Sequence, residues 1–376
     1  MTLKLTADTK SLSAALATAA SVAAARSPRP QLTCLLMEGA KVGGAGVLTL
    51  SATDAESAIR LTVPAIELHE PGACLVPAAK LRQIISAEDH EPTINLSGSY
   101  GGCGITSSGA KYQIHGYPAR DFPTTREMPE AAQSLTGGML IEIAKRTTFC
   151  TSTEISRYAL PGVYIVRDGR KIEAVATDGR RMVIYRTKAA EAAPAGSRPI
   201  LVHGRALQRA AGFVADPEEP VRIAEHGGAV FFDFGSGRVL FSSLLIEGTF
   251  PPYLDVIPKD PTKTVKVNRE AMLSALQRAA ITTSVVSRSV AMEFQAKAKK
   301  LTIKSRAPEE GQTEVSIPIE SYEGEDIAIG FNPGFVADGL KAIPEPIVTL
   351  EMSQPSRPMV VKSDGFIYVV MPVALS

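Results

Sequence analysis

Asp178, Arg180 and Arg181 crowd one acid and two guanidiniums into residues 176–182, ATDGRRM. Arginine presents paired donors that match phosphate oxygens, so this set could form a small phosphate site. One turn is thin support for that. The same residues read equally as a hairpin turn, with Ile172, Ala174 and Val175 before it and Val183, Ile184 and Tyr185 after it. Gly179 supplies the residue that tolerates positive φ. Catalytic carriers are missing: the chain has no GxxxxGK[ST], no GxGxxG after a strand, no HExxH and no GxSxG. His69, His90, His115, His203 and His226 are scattered and pair with no cysteine or acid at ligand spacing. Cys34, Cys74, Cys103 and Cys150 contain no CxxC and fit neither a zinc site nor a disulfide framework. The residues therefore give no catalytic group, no metal ligand and no cofactor site.

The remaining charge follows the helices. Apolar residues recur at helical spacing in windows 10–26, 78–87, 138–150, 204–213, 269–280 and 333–342. These windows hold eleven Lys or Arg and three acids, a net +8, whereas the whole chain carries +1, which leaves −7 elsewhere. Helices sharing one surface would make that surface basic and its opposite acidic. A basic surface takes phosphate through counterion release without reading bases. An acidic exterior repels misplaced polyanions. Solvated helix faces also carry Lys and Arg routinely, so charge alone leaves both readings open. The candidates for the polyanion face are Arg29, Arg82, Lys145, Arg146, Arg205, Arg209, Arg278 and Lys341.

The elements that position these residues repeat. Residues 51–57 read SATDAES, again between apolar runs, and Thr53 precedes Thr177 by 124 positions. The segment CLVPAAKLRQII from Cys74 aligns with ILVHGRALQRAA from Ile200, and IAIGFNPGFVADGL from Ile327 follows as a third strand–helix copy. Phe122-Pro123 and Phe250-Pro251 close the first two blocks. A chain of 376 residues thus reads as three copies at 1–125, 126–258 and 259–376. Each copy has two helices against antiparallel strands, an α+β layer architecture. Within the first helix, residues 11–25, Ser11 is the expected N-cap; Pro77 and Asn268 open two others. The N-terminus MTLKLTADTK lacks a basic segment before an apolar core, and residues 11–25 are too short to span a bilayer. The expectation is a cytoplasmic protein with buried thiols and no membrane partner.

Five motifs then stand in order along the chain: STEISRYALPG (152–162), VATDGRRM (175–182), EGTFPPYLDVIP (247–258), RAAI (278–281) and YVVMP (368–372). With the triplication, they resemble the bacterial DNA polymerase III beta subunit, the sliding-clamp family, over the whole chain. The resemblance implies three tandem clamp domains per protomer and a head-to-tail homodimeric ring of six. Helices would line the hole around double-stranded DNA, with no sequence readout and no catalysis. It implies polymerase III, other polymerases, the clamp loader and repair proteins as partners. It adds Tyr158 to the DNA-facing set. For a peptide-binding pocket it implies Leu160, Thr177, Gly179, Arg181, Met182, Pro251, Val256, Val369, Val370, Met371 and Pro372. For the dimer seam it implies Lys80, Tyr112 and Ile114 on one side and Ile281, Glu309, Glu310 and Glu314 on the other.

The chain departs from the family pattern at Arg180, where His is usual, at Leu254 and Asp255, where Arg is frequent, and in its ending Val373-Ala374-Leu375-Ser376. Thr282 replaces a larger apolar residue at the seam. These departures point to a divergent or accessory clamp with an altered partner set. Two other classes stay open at this level: a phosphate-handling enzyme built on the 178–181 turn, and a peptide-binding module that never encircles DNA.

Overall fold

Alternating apolar residues build much of this chain into antiparallel strands, and the computed structural model describes residues 2–130, 132–152, 161–193, 197–283 and 288–375. Among the described residues six α-helices punctuate them: α1 (Thr9–Ala20), α2 (Ala78–Ala87), α3 (Gly137–Thr147), α4 (Gly204–Gly212), α5 (Arg269–Ala280) and α6 (Pro333–Lys341). Asn268 opens α5 as expected, its side chain accepting from the Ala271 amide at 2.9 Å. Helix α1 differs from expectation at both ends. Asp8 is its cap, accepting from the Ser11 amide at 2.8 Å, so Ser11 lies inside the first turn. The helix stops at Ala20 because the Ser21 and Val22 amides fold back on Thr18 and Ala19 and the Ala24 amide turns to Leu32.

The chain divides into two units. The first comprises residues 1–141 and 209–245. Its five-stranded sheet runs Glu67–Glu70, Leu3–Asp8, Thr93–Ser99, Gly102–Thr106, Lys111–His115. Its eight-stranded sheet runs Gln133–Thr136, Pro220–His226, Ala229–Phe234, Val239–Leu244, Ser57–Pro64, Ala45–Thr53, Cys34–Val42, Gly72–Pro77. The second unit comprises residues 142–208 and 246–376. Its nine-stranded sheet runs Ile200–His203, Gly162–Asp168, Lys171–Thr177, Arg181–Lys188, Phe366–Val370, Met359–Ser363, Ile347–Met352, Lys263–Asn268, Ser321–Glu323. Its four-stranded sheet runs Gly311–Pro318, Lys300–Ala307, Val290–Gln295, Ile327–Phe331.

One rule generates all four sheets. Each copy makes two half-sheets, and the first half-sheet of one copy pairs with the second half-sheet of the next. Ser57–Pro64 of the first copy pairs with Val239–Leu244 of the second, Ile59 opposite Phe241. Arg181–Lys188 of the second copy pairs with Phe366–Val370 of the third, Ile184 opposite Ile367. The rule leaves two edges over: Gly311–Pro318 of the third copy and Lys111–His115 of the first, each terminal in its sheet.

The core follows from the alternation. Leu3, Leu5, Leu12, Leu16, Leu81 and Ile85 are buried in the first unit, as is the phenylalanine group Phe231, Phe232, Phe234 and Phe241. All four cysteines are free and buried. In the second unit Met182, Ile184, Val360 and Val369 form one cluster under Tyr164, Phe250 and Tyr253. Tyr368 is fully buried, donates its hydroxyl to the Phe335 carbonyl of α6 at 2.7 Å, and lies against Gly339, where no Cβ would fit. No described helix is long and apolar enough to cross a membrane.

A candidate binding site around the turn at residues 177–181

Side chains hold this turn together. The Thr177 hydroxyl donates to the Arg181 carbonyl at 2.7 Å and accepts from the Gly179 amide at 3.1 Å. Asp178 Oδ1 accepts from the Arg180 and Arg181 amides at 2.9 and 3.0 Å. Gly179 takes φ +85°, the left-handed region that glycine enters without strain. The first copy repeats the set. Thr53 donates to the Ser57 carbonyl at 2.7 Å and accepts from the Ala55 amide at 3.0 Å, and Asp54 Oδ1 accepts from the Glu56 and Ser57 amides. The echoed Thr-Asp pair is thus a turn-building device, which removes its need for a phosphate.

Each turn also clamps a helix. In the first unit Asp54 meets Arg209 of α4 at 3.1 Å. In the second unit Arg181 meets Asp338 of α6 at 2.8 Å. Positions 209 and 338 are 129 apart, the spacing of the strand–helix copies, so the clamp recurs with its charges reversed. Arg181 also binds Asp178 Oδ2 at 2.9 Å and the Phe149 carbonyl at 3.0 Å, and its guanidinium lies 4.4 Å from the Phe335 ring centroid. Burial pulls its pKa down, but Tyr368, the two carboxylates and Cys150 outweigh that and keep the charge above its ordinary range. Arg181 is therefore a structural strut whose charge is already spent.

An apolar pocket of about 170 Å³ lies beside the turn, lined by Thr177, Gly179, Arg181, Met182, Pro251, Tyr253, Val256, Val369 and Met371. Eight of these were expected from sequence. Val370 was expected too, but strand alternation sends its buried side chain to the other face, away from Val369 and Met371. Pro372 is half-buried and outside the lining, and Leu160 falls outside the described residues. Tyr253 was missed, although it stands in the FPPY motif. Its ring packs at 6.2 Å from Tyr164 and 6.0 Å from Phe250, and its hydroxyl donates to Glu173. Burial and that bond push the Tyr253 phenol well above its usual range. Leu254, Val256 and Met371 leave an exposed apolar rim.

A larger polar cleft, about 650 Å³, shares Arg181 with the pocket. Its walls include Arg180, Arg205, His203, Gln208, Thr148 and Phe335. Arg180 lines this cleft and is absent from the lining of the pocket.

The expected polyanion-facing residues separate into two groups. Arg29, Arg82, Lys145, Arg205 and Arg278 are exposed and carry no ion pair among the described residues. Lys341 is exposed at 3.5 Å from Asp338. Arg209 is held by Asp54, as above. Arg146 does not fit the expectation: it is buried, bonded to Glu142 at 2.7 Å and stacked 4.7 Å from the Tyr185 centroid. Its spacing places it one residue from the exposed Lys145 and therefore on the inner side of α3. Tyr158 falls outside the described residues.

The expected seam residues sit on or next to the two leftover edges. Tyr112 and Ile114 belong to Lys111–His115, Ile114 buried and Tyr112 donating to Glu88. Glu314 is exposed on Gly311–Pro318, and Glu309 and Glu310 form the exposed turn before it. Ile281 is 75% exposed just after α5, and Lys80 is exposed on α2. Thr282 bonds Ser305 at 2.6 Å and Thr313 at 2.8 Å, tying α5 to this sheet. One expectation about histidines needs correcting: Glu88, His90 and Glu91 bring potential ligand atoms within 4.8 Å of one another. The Tyr112 and Ser108 hydroxyls already occupy the two carboxylates.

Three family models match this chain: the N-terminal, central and C-terminal domains of the DNA polymerase III beta subunit, at residues 3–126, 134–252 and 254–374. A beta sliding clamp of Synechococcus elongatus is 26% identical over 99% of this chain and 100% of its own length. One of Caulobacter vibrioides is 28% identical over 99% of this chain and 100% of its own. A crystal structure of a Pseudomonas aeruginosa DnaN sliding clamp bound to griselimycin superposes with a TM-score of 0.90, at 26% identity, covering 100% of both chains.

Removing the strut should be costly, because it strands two carboxylates in a partly dry site. Arg181→Met is expected to lower stability by about 2–3 kcal/mol in urea unfolding. A double-mutant cycle with Asp338→Asn should return a coupling of about 1 kcal/mol or more. An unchanged midpoint would contradict the assignment of Arg181 as a strut.

Proposed function

The chain belongs to the DNA polymerase III beta subunit family, and from that premise we infer that it is a DNA sliding clamp, a processivity factor that encircles double-stranded DNA as a homodimer. The observation that carries this reading is the pair of leftover edges. Twice within the chain, the first half-sheet of one copy takes the second half-sheet of the next. The third copy's edge, Gly311–Pro318, and the first copy's edge, Lys111–His115, each take no strand on their outer side from the described residues. A second protomer supplies both. Joining the four- and five-stranded sheets gives nine strands, the size of the largest sheet already inside the chain. Because each protomer offers both edges, the contact is head-to-tail and closes after two. A module that never closed would leave two long edges bare, which favours the ring.

Within the ring, Arg29, Arg82, Lys145, Arg205 and Arg278 are the side chains proposed to face DNA phosphates, with Lys341 and Arg209 partly offset by their acids. Contacts of this kind hold DNA without reading sequence. The apolar pocket is the proposed docking site for short peptides of polymerase III, other polymerases, the clamp loader and repair proteins, anchored by one or two apolar side chains. Met182 and Met371 give it a deformable wall suited to several ligands. With Leu254 and Asp255 on the rim in place of basic groups, its partner preferences are proposed to differ from those of typical clamps. On the family's precedent the protein is read as a non-enzyme working in the cytoplasm. The three copies at 1–125, 126–258 and 259–376 are the proposed domains.

Two variants test this. Ile281→Asp places a charge on an exposed seam residue. It should raise the dimer dissociation constant at least tenfold in sedimentation velocity without lowering the melting temperature. A dimer as tight as the wild type would move the seam elsewhere. Val256→Asp should weaken binding of an apolar clamp-binding peptide at least tenfold while the dimer persists. Undiminished peptide binding would remove the pocket from the account.

A further inference from the structure

Arg180 follows the turn at residues 177–179 and lines the polar cleft, not the peptide pocket. It opens into the polar cleft with Arg205 of α4, His203, Gln208, Thr148 and Thr151. Both arginines are exposed, and neither has an ion pair among the described residues. The only acid among the described lining residues is Asp178, whose oxygens are committed to the amides of residues 180 and 181 and to Arg181 Nε. Arg181 is in turn committed to Asp178 and Asp338. Among the described residues, two positive charges without an ion-pair partner are therefore left facing one polar space.

The walls are fixed. The Arg180 amide is bonded to Asp178, and its carbonyl accepts from the Met371 amide at 2.9 Å. Gln208 Nε2 donates to the Thr148 hydroxyl at 2.8 Å, bracing the opposite side. The first residues of α4 line the cleft and add the positive end of a helix dipole.

We propose that Arg180 and Arg205 form a phosphate-binding station for the DNA backbone in this cleft, which extends the DNA-contacting surface from α4 toward the rim of the peptide pocket. A phosphodiester suits the geometry because two separate guanidiniums, hydroxyls and an amide surround a space of about 650 Å³. Arginine binds such oxygens through paired donors. The phosphate belongs to DNA, duplex or single-stranded. The inference rests on the clamp reading, since it assumes that α4 faces DNA.

The test is binding of labelled duplex and labelled single strand to the full-length protein, followed by fluorescence anisotropy across a salt series. Arg180→Gln should weaken at least one of the two DNA forms roughly threefold at low salt. It should also flatten log K against log salt by about 0.9 for duplex or about 0.7 for single strand. Arg205→Gln should do the same. Loss on duplex alone or on single strand alone identifies the source of the phosphate, and either supports the station. Arg82→Gln is the control. If it flattens the slope and Arg180→Gln leaves both DNA forms unchanged, the station is wrong and the clamp reading stands. If the wild type binds neither form at low salt, the station is overturned, while the clamp reading, which rests on topological linkage to a closed circle, stands. If Arg180→Gln weakens an acidic clamp-binding peptide and leaves DNA binding unchanged, Arg180 serves the peptide and the station is overturned.

Discussion

A strand edge left in water is a row of unpaired amides and carbonyls, ready to take another strand. Three tandem copies, each with two such edges to cover, set the terms for everything else in this chain. Two junctions are closed internally, by Ser57–Pro64 with Val239–Leu244 and by Arg181–Lys188 with Phe366–Val370. The third is closed, in the proposed ring, by a second protomer. The Asp54–Arg209 and Arg181–Asp338 clamps sit beside the two closed junctions, each tying a turn of one copy to the second helix of the next. Reversal of the charges between them shows that the position requires a pair and is indifferent to its direction. A reversed pair also keeps the copies from exchanging partners, because the wrong combination would set like charges together.

The same turn separates two chemistries. On one side lies a nearly dry pocket walled by Met182, Val369 and Met371. On the other lies a polar cleft whose Arg180 and Arg205 carry no ion pair among the described residues. Arg181 belongs to both, its guanidinium buried in ion pairs and its stem against the pocket. Removing its charge from the solvent surface is what leaves the pocket apolar enough to reward an aliphatic side chain.

Much of this was legible in the sequence. The Thr-Asp echo was readable because both copies need the same side-chain bonds to close the same turn. Asn268 was readable as a cap because the helix after it starts without another acceptor. The strand Lys263–Asn268 was not read, since Lys263 and Lys266 mask the alternation of Val265 and Val267. The short strands Glu67–Glu70 and Ser321–Glu323 are too brief and polar for any pattern. Within the site, Val370 could have been set aside by parity alone, since neighbours on a strand face opposite ways. Arg146 and Arg180 could not have been placed from sequence: burial against Tyr185 and direction away from the pocket are tertiary facts. Charge counts treat every arginine in a window alike, whereas the structure separates spent charges from free ones.

The central claim is that the two leftover edges meet in a second protomer and close around DNA. The most direct measurement is retention of the protein on circular DNA after loading, compared before and after the circle is cut. Topological linkage requires stable retention on the closed circle and loss on linearisation. Equal loss from circular and linear DNA, with a loader shown to work on a control clamp, would contradict it.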